Sequence, residues 1–274
     1  MKVKFDDGVH NITSEQYHGA DGISRSQLML LDKSPYHFWY EVISGMAEKR
    51  EATPAMNIGS AFHTLLLEPQ LFDHEFCVMP NLDRRTKGGK EMYQQFMEEN
   101  AGKMVLSVEQ YEKAALMAEQ ALSHEIVKTL LDEAQFEQSI FWTDAETGLQ
   151  FKSRPDIWSP KMVVDLKTTQ DATRYKFERS AIEYGYYLQA GMAFEGAKAL
   201  QMPFEMFVIL AVEKEMPHAP AVFPLSDDAL QYGIDQFQFY KRMLADCMSS
   251  NQWDTYAVQE LTVPMYAIKS LEDE

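Results

Sequence analysis

The sequence predicts an α/β protein of the mixed, α+β kind, in which a central mixed β-sheet is flanked by helices. Three observations predict it. Apolar residues recur at helical spacing through roughly the first half of the chain; strand-like runs separated by turn residues fill residues 136–168; a helical stretch then leads into a strand that is apolar throughout. Helices, then a meander, then a helix and a buried strand give a mixed sheet with helices packed on it.

The elements follow in order. Ser26-Gln27-Leu28-Met29-Leu30-Leu31 carries an apolar helical face, and Pro35 opens a second helix through Tyr36, Phe38, Trp39 and Val42. Pro54 opens a third, which carries Ile58 to Leu67 and stops near Pro69; its Gly59, Ser60 and Ala61 allow a neighbour to approach closely. Phe76–Met79 reads as a short strand. Residues 81–90 read as a polar, basic loop, and helices follow over 89–99 and 107–122. The second of these opens on Ser107-Val108-Glu109-Gln110, the pattern of a capping box. Phe136–Trp142, Leu149–Trp158 and Lys161–Thr168 read as a three-strand meander, turned at Asp144–Gly148 and at Ser159-Pro160-Lys161. A helix from about Arg174 to Leu200 is expected to break near Gly185. Phe204–Glu213 reads as a strand buried on both faces, Ala221–Leu225 as an edge strand carrying a proline, and Asp227 to about Met248 as a last helix. The expected organisation is one domain over 1–274: a helical part to about 130, a sheet core over 131–225, and a C-terminal helix and tail over 226–274.

Composition narrows the function classes. The chain has 274 residues, 46% of them hydrophobic, enough for a substantial core. No apolar run approaches the roughly 20 residues of a membrane span, and the N-terminal residues lack a signal-peptide pattern. Two cysteines, Cys77 and Cys247, exclude a disulfide scaffold or a four-cysteine metal site within one chain. A reducing cytoplasm is the expected compartment. The net charge of -17 opposes generic affinity for nucleic acid. Basic residues nevertheless gather at Lys49-Arg50, over Arg84–Lys90 and over Arg174–Arg179. Neither a phosphate-cradling glycine loop nor a zinc-protease motif occurs.

The chemistry concentrates in Arg154-Pro155-Asp156 and Val164-Asp165-Leu166-Lys167. Along a strand, residues two apart share a face, so Asp165 and Lys167 lie together, with Asp156 beside them if the preceding strand folds back. A cross-strand ion pair is the plain reading. Against it, the apolar context buries these charges, and two carboxylates exceed one lysine, an excess that a divalent cation such as Mg²⁺ offsets. A lysine beside such a cation suits activation of water. His63, on a leucine-rich helix, reads from its own surroundings as a satisfied core histidine.

Glu137, Arg154-Pro155-Asp156 and Asp165-Leu166-Lys167 resemble the core motif of the PD-(D/E)xK nuclease superfamily. Ile23–Leu28, Ser34–Phe38 and Gly59–Pro69 are similar, more specifically, to the C-terminal nuclease domain of exonuclease VIII (RecE) and its phage relatives. The likeness covers roughly residues 20–215. It implies a restriction-endonuclease-like core and a DNA exonuclease that degrades one strand of linear duplex 5′→3′. It further implies 5′-phosphate products, 3′ single-stranded tails, a ring-like homo-oligomer and a RecT-like single-strand annealing partner. The resemblance makes His63 a metal ligand with Asp156 and Asp165, for Mg²⁺ or Mn²⁺, with the backbone carbonyl of Leu166 as a further ligand. Lys167 then orients or deprotonates water, Glu137 assists as a neighbouring acid, and Gln189 matches a glutamine of the helix after the core strands. The family often has a tyrosine four residues beyond that glutamine; here Ala193 stands there, with Tyr186 and Tyr187 nearby. Arg25, Ser153, Arg154 and Tyr187 are the expected DNA contacts. The alternatives are a silent DNA-binding module of the same fold, or an endonuclease selective for sequence or structure.

Overall fold

The computed structural model describes residues 3–48, 53–132, 134–159 and 162–263. The N-terminal part comprises β1 (Gly8–His10), α1 (Ser14–Gly19), α2 (Arg25–Leu28), α3 (Leu30–Lys33) and α4 (Pro35–Phe38), which continues as a π-helical turn. Helix α5 (Pro54–Leu67) starts where expected: the Thr53 hydroxyl accepts from the Met56 amide at 3.3 Å, and Pro54 occupies the first turn, where its missing N–H costs nothing. Next come α6 (Phe72–Glu75), β2 (Phe76–Met79), α7 (Lys87–Glu99), β3 (Met104–Ser107), α8 (Val108–Ser123) and α9 (Glu125–Leu131). The capping box at Ser107 and Gln110 is present.

The strands of the second half are β4 (Gln135–Phe136), β5 (Ser139–Thr143), β6 (Gln150–Ser153), β7 (Ile157–Trp158), β8 (Met162–Thr169), β9 (Met206–Glu213) and β10 (Pro220–Pro224). Helices α10 (Arg174–Glu183) and α11 (Tyr186–Ala199) separate β8 from β9, and α12 (Asp227–Ser250) follows the sheet. The main sheet runs β10-β9-β8-β7-β4, with β8 and β9 parallel and the other pairs antiparallel. A three-stranded antiparallel sheet runs β1-β5-β6, and β2 pairs in parallel with β3. The mixed sheet with flanking helices therefore agrees with the expected class.

The expected meander is corrected in one respect. Its register carries through, since Phe136 faces Ile157 and Ile140 faces Ser153, but its ladder is cut between those pairs. Pro155 has no N–H to give, and Glu137 takes a left-handed backbone at φ 52. The strands expected over 136–142 and 149–158 are each split between two sheets. Pro160 and Lys161 of the expected turn lie outside the described residues; Ser159 still closes the hairpin, donating its amide to the Met162 carbonyl at 2.9 Å.

Strand β9 is buried on both faces, as its composition predicts. Phe207, Ile209 and Ala211 join Trp142, Phe151, Leu188 and Phe237 on one side, while Val208, Leu210 and Val212 join Phe62, Leu66 and Met117 of α5 and α8 on the other. On β8, Val163 faces the first of these cores and Val164 and Leu166 the second, so the alternation puts Asp165 and Lys167 on the side of α11.

Helices α11 and α12 cross in backbone contact. A Cβ on Gly191 would overlap the Gly233 carbonyl, and one on Gly233 would overlap the Tyr187 carbonyl. Alanine ordinarily favours a helix over glycine by about 1 kcal/mol. Here Gly233→Ala is expected to destabilise instead, because separating two packed backbones costs about 1–3 kcal/mol or more. The check is the urea midpoint, which falls in the variant. A raised midpoint would mean that the crossing is looser than described.

Candidate active site

The break in the meander builds the site. Asp156 lies between β6 and β7, and Glu137 lies opposite it, its amide donating to the Asp156 carbonyl at 3.0 Å. Helix α5 brings His63 from the other side, its Nδ1 3.5 Å from Asp156 Oδ1. One ligand atom from each of His63, Glu137 and Asp156 lies within 4.8 Å of the others. Asp156 is buried, and its Oδ2 accepts the Leu166 amide at 2.5 Å. Leu166 thus meets Asp156 through its N–H.

Asp165 is also buried, and it faces a different set of partners. One of its oxygens pairs with Lys167 Nζ and the other accepts from the Gln189 side-chain amide. The shared face of Asp165 and Lys167 is as expected. The structure puts Glu137, rather than Asp165, in the three-residue cluster with His63 and Asp156. The Tyr186 ring lies 5.0 Å from Lys167 Nζ, a cation–π contact.

The titrating groups are crowded. Burial, then the charge of Asp156, pushes Glu137 up to about 7, against the pull of Arg154 and His63. Burial alone would raise Asp156, yet His63, Lys167 and the Leu166 amide hold it below the usual carboxylate range. Burial disfavours a charged His63, but Asp156 and then Glu137 outweigh it and raise its pKa. Burial raises Asp165, with Lys167 opposing and Asp156 reinforcing. Two acids and an imidazole packed this closely hold excess negative charge when the imidazole is neutral. The donor set of carboxylate oxygens and one imidazole nitrogen suits Mg²⁺ or Mn²⁺.

The expected DNA contacts fare differently. Ser153 and Arg25 line one cleft together with Ser14, Ser24, Glu137 and Asp156. The Arg25 guanidinium donates to the Tyr184 carbonyl at 2.5 Å. Arg154 faces inward: it donates to Glu137 at 2.5 Å, to the Ile12 carbonyl at 2.8 Å and to the Ser139 hydroxyl at 2.9 Å. It braces Glu137 while lining the same cleft as Arg25 and Ser153. Tyr187 packs edge-on against Tyr232 of α12 at 5.8 Å, and the tyrosine that reaches the site is its neighbour Tyr186. Gly185, with φ 66, starts α11 afresh and sets which tyrosine turns inward. Of the basic segments, Lys49-Arg50 lies outside the described residues. Arg85 pairs with Asp83 and Lys87 with Glu91, and Arg174 pairs with Glu178.

Residues 24–259 match the model of a family described as a PDDEXK-like domain of unknown function (DUF3799). Among solved structures, a "putative exonuclease" from Eubacterium rectale aligns with a TM-score of 0.61 at 13% identity, over 95% of this chain and 99% of that one. The crystal structure of SSO0001 aligns at 14% identity over 66% of this chain and 86% of that one; its TM-score of 0.28 supports no argument. At such identities the first likeness speaks to fold alone. No curated protein matches the chain. No helix among the described residues is long and apolar enough to cross a membrane.

Proposed function

The chain belongs to the PDDEXK-like family DUF3799, and from that membership we propose that it is a metal-dependent nuclease acting on the ends of linear duplex DNA. The observation that carries the reading is the His63, Glu137 and Asp156 cluster lying beside an Asp165–Lys167 pair. His63, Asp156 and Glu137 would hold a divalent cation, with Asp165 and the Leu166 carbonyl as further candidates. When bound there, the cation supplies charge neutralisation at a phosphodiester and acidifies water.

The chain's own side chains do the rest. Lys167 sets one positive charge where negative charge develops on the phosphoryl oxygens, and it orients the attacking water. Asp165 fixes the ammonium, and Gln189 fixes Asp165 through its second oxygen. The Tyr186 ring closes the remaining side of Lys167 and limits its motion. Arg154 holds Glu137 in place from behind. Attack in line with the 3′ oxygen leaves a 5′-phosphate. The finer reading, 5′→3′ removal of one strand by a homo-oligomer that hands 3′ tails to an annealing partner in recombination, rests on the resemblance to exonuclease VIII.

Duplexes labelled at the 5′ or the 3′ end, incubated with Mg²⁺ or Mn²⁺ and with chelator controls, test the activity. Release of label from linear duplex, with closed circles untouched, is expected. Intact linear DNA with both metals present would refute the proposal. Metal binding has a separate readout. In isothermal titration with Mn²⁺, His63→Ala is expected to weaken binding by more than about tenfold, the least that losing even an outer partner of a metal usually costs. Unchanged binding would remove His63 from the ligand set.

A further inference from the structure

A second cleft, distinct from the one lined by Glu137 and Asp156, has Tyr186 in its wall. Its volume is 850 Å³, and its walls include Thr168, Lys176, Arg179, Tyr184, Tyr186 and Lys214. Tyr186 lines this cleft and also meets Lys167, so one ring separates the cleft from the lysine of the site. Lys176 and Arg179 are three residues apart on α10 and share a helix face. Lys214 follows the end of β9, one residue past the partner of Thr169, and donates its amide to the Thr169 carbonyl at 2.8 Å. No ion pair within the described residues engages these three cations. The acids on the cleft wall are Asp171 and Glu183, so the lining carries a net positive charge in a chain whose net charge is -17.

Aromatic surface accompanies the charge. Tyr184 is exposed beside Tyr186, with ring centroids 6.0 Å apart, and Tyr175 is exposed with the Arg179 guanidinium 6.0 Å from its ring centre. Cations that follow a backbone, combined with open aromatic rings, are what single-stranded nucleic acid requires, because its bases are free to stack. A duplex, whose bases already stack on each other, would use the cations alone.

We infer that this cleft holds a short single-stranded stretch of the nucleic acid on one side of the scissile phosphate. Its phosphates meet Lys176, Arg179 and Lys214, and a base stacks on Tyr184. This rests on the nuclease reading for its place in the reaction, but binding is measurable without cleavage.

The test uses the full chain with chelator present and a short fluorescent oligothymidylate, read by anisotropy across a salt series. Replacing Lys176, Arg179 and Lys214 together by alanine is expected to weaken single-strand binding roughly tenfold or more and to reduce the salt slope by about 2, from about 0.7 per phosphate contact. Tyr184→Ala is expected to weaken it about fivefold or more, and Tyr184→Phe to restore it, since stacking needs the ring and not the hydroxyl. Hydrolysis of bis-(4-nitrophenyl) phosphate, too small to reach the cleft, should be unchanged in the same variants. Wild-type affinity and slope in the triple variant would overturn the inference. So would equal losses on blunt duplex, or a matching loss on the small ester. Failure of the nuclease reading gives a different pattern: no hydrolysis by the wild type, with single-strand binding and its dependence on the three cations intact.

Discussion

Lys167→Ala is expected to lower cleavage of linear duplex by on the order of ten-thousandfold, with the fold retained. The loss combines a positioned proton-transfer group with a charge aimed at the developing phosphoryl charge, each worth about a hundredfold or more. Retention of the fold follows from Asp165. Burial already raises the pKa of that carboxyl, with Lys167 opposing the rise. Once the ammonium is gone, Asp165 takes up a proton rather than remaining a lone buried charge. A protonated Asp165 still accepts from Gln189, and the thermal midpoint stays close to that of the parent. Lys167→Arg should not rescue, because a planar fork does not fit where a compact ammonium sits between a carboxylate and the Tyr186 ring. Activity within tenfold of the parent in Lys167→Ala would remove this residue from the chemistry.

Lys241→Met is expected to produce the largest loss of stability, about 3 kcal/mol, in line with breaking a buried ion pair on one side only. Lys241 of α12 is 2% exposed, and its Nζ lies 2.9 Å from both Asp144 and Glu146 in the β5–β6 turn. Methionine keeps the volume and removes the charge, so the cost is electrostatic. Glu146 is largely in water and recovers its hydration; Asp144 keeps only its bonds from Thr147. The sign with pH follows from the shifts. Burial works against a charged Asp144, but Lys241 and Thr147 lower its pKa overall. Its contribution is therefore present above the ordinary carboxylate range and is lost as pH falls through the folded value. Burial also works against Lys241, yet both acids raise it. Its share is full below the ordinary lysine range and is lost as pH rises through the folded value. Urea denaturation at neutral pH should show the full difference between parent and variant, shrinking toward strong acid. A difference that is flat from neutral to acid would mean the pair contributes little.

Much of the fold can be read from single residues. Thr53 and Pro54, Ser107 with Gln110, and Gly185 mark helix boundaries by local chemistry, and the structure places helix ends at each. The period-two pattern also puts Asp165 with Lys167. Short elements escape that reading because partners far along the chain define them. β3 becomes a strand by pairing with β2 across α7, and β1 by pairing with β5. The inward turn of Glu137 escapes it too: nothing within Phe136–Trp142 marks a break, and the interruption comes from Pro155 on the neighbouring strand, beside the Asp156 that Glu137 faces. Which acid joins His63 and which joins Lys167 depends on that break. The choice between Tyr186 and Tyr187 depends on the phase of α11, about 100° per residue, set by where Gly185 restarts the helix.

Two cations, Lys152 of β6 and Arg154 just past its end, look upstream for their acceptors. Lys152 donates to the carbonyls of Tyr17 and Ala20, and Arg154 to that of Ile12. All three oxygens precede residue 24, where the family match begins. A fragment trimmed to that boundary would leave two inward-facing cations short of three carbonyls, and Glu137 would lose the bracing of its own brace. The smallest self-sufficient piece of this protein thus extends further toward the N-terminus than kinship alone would draw it.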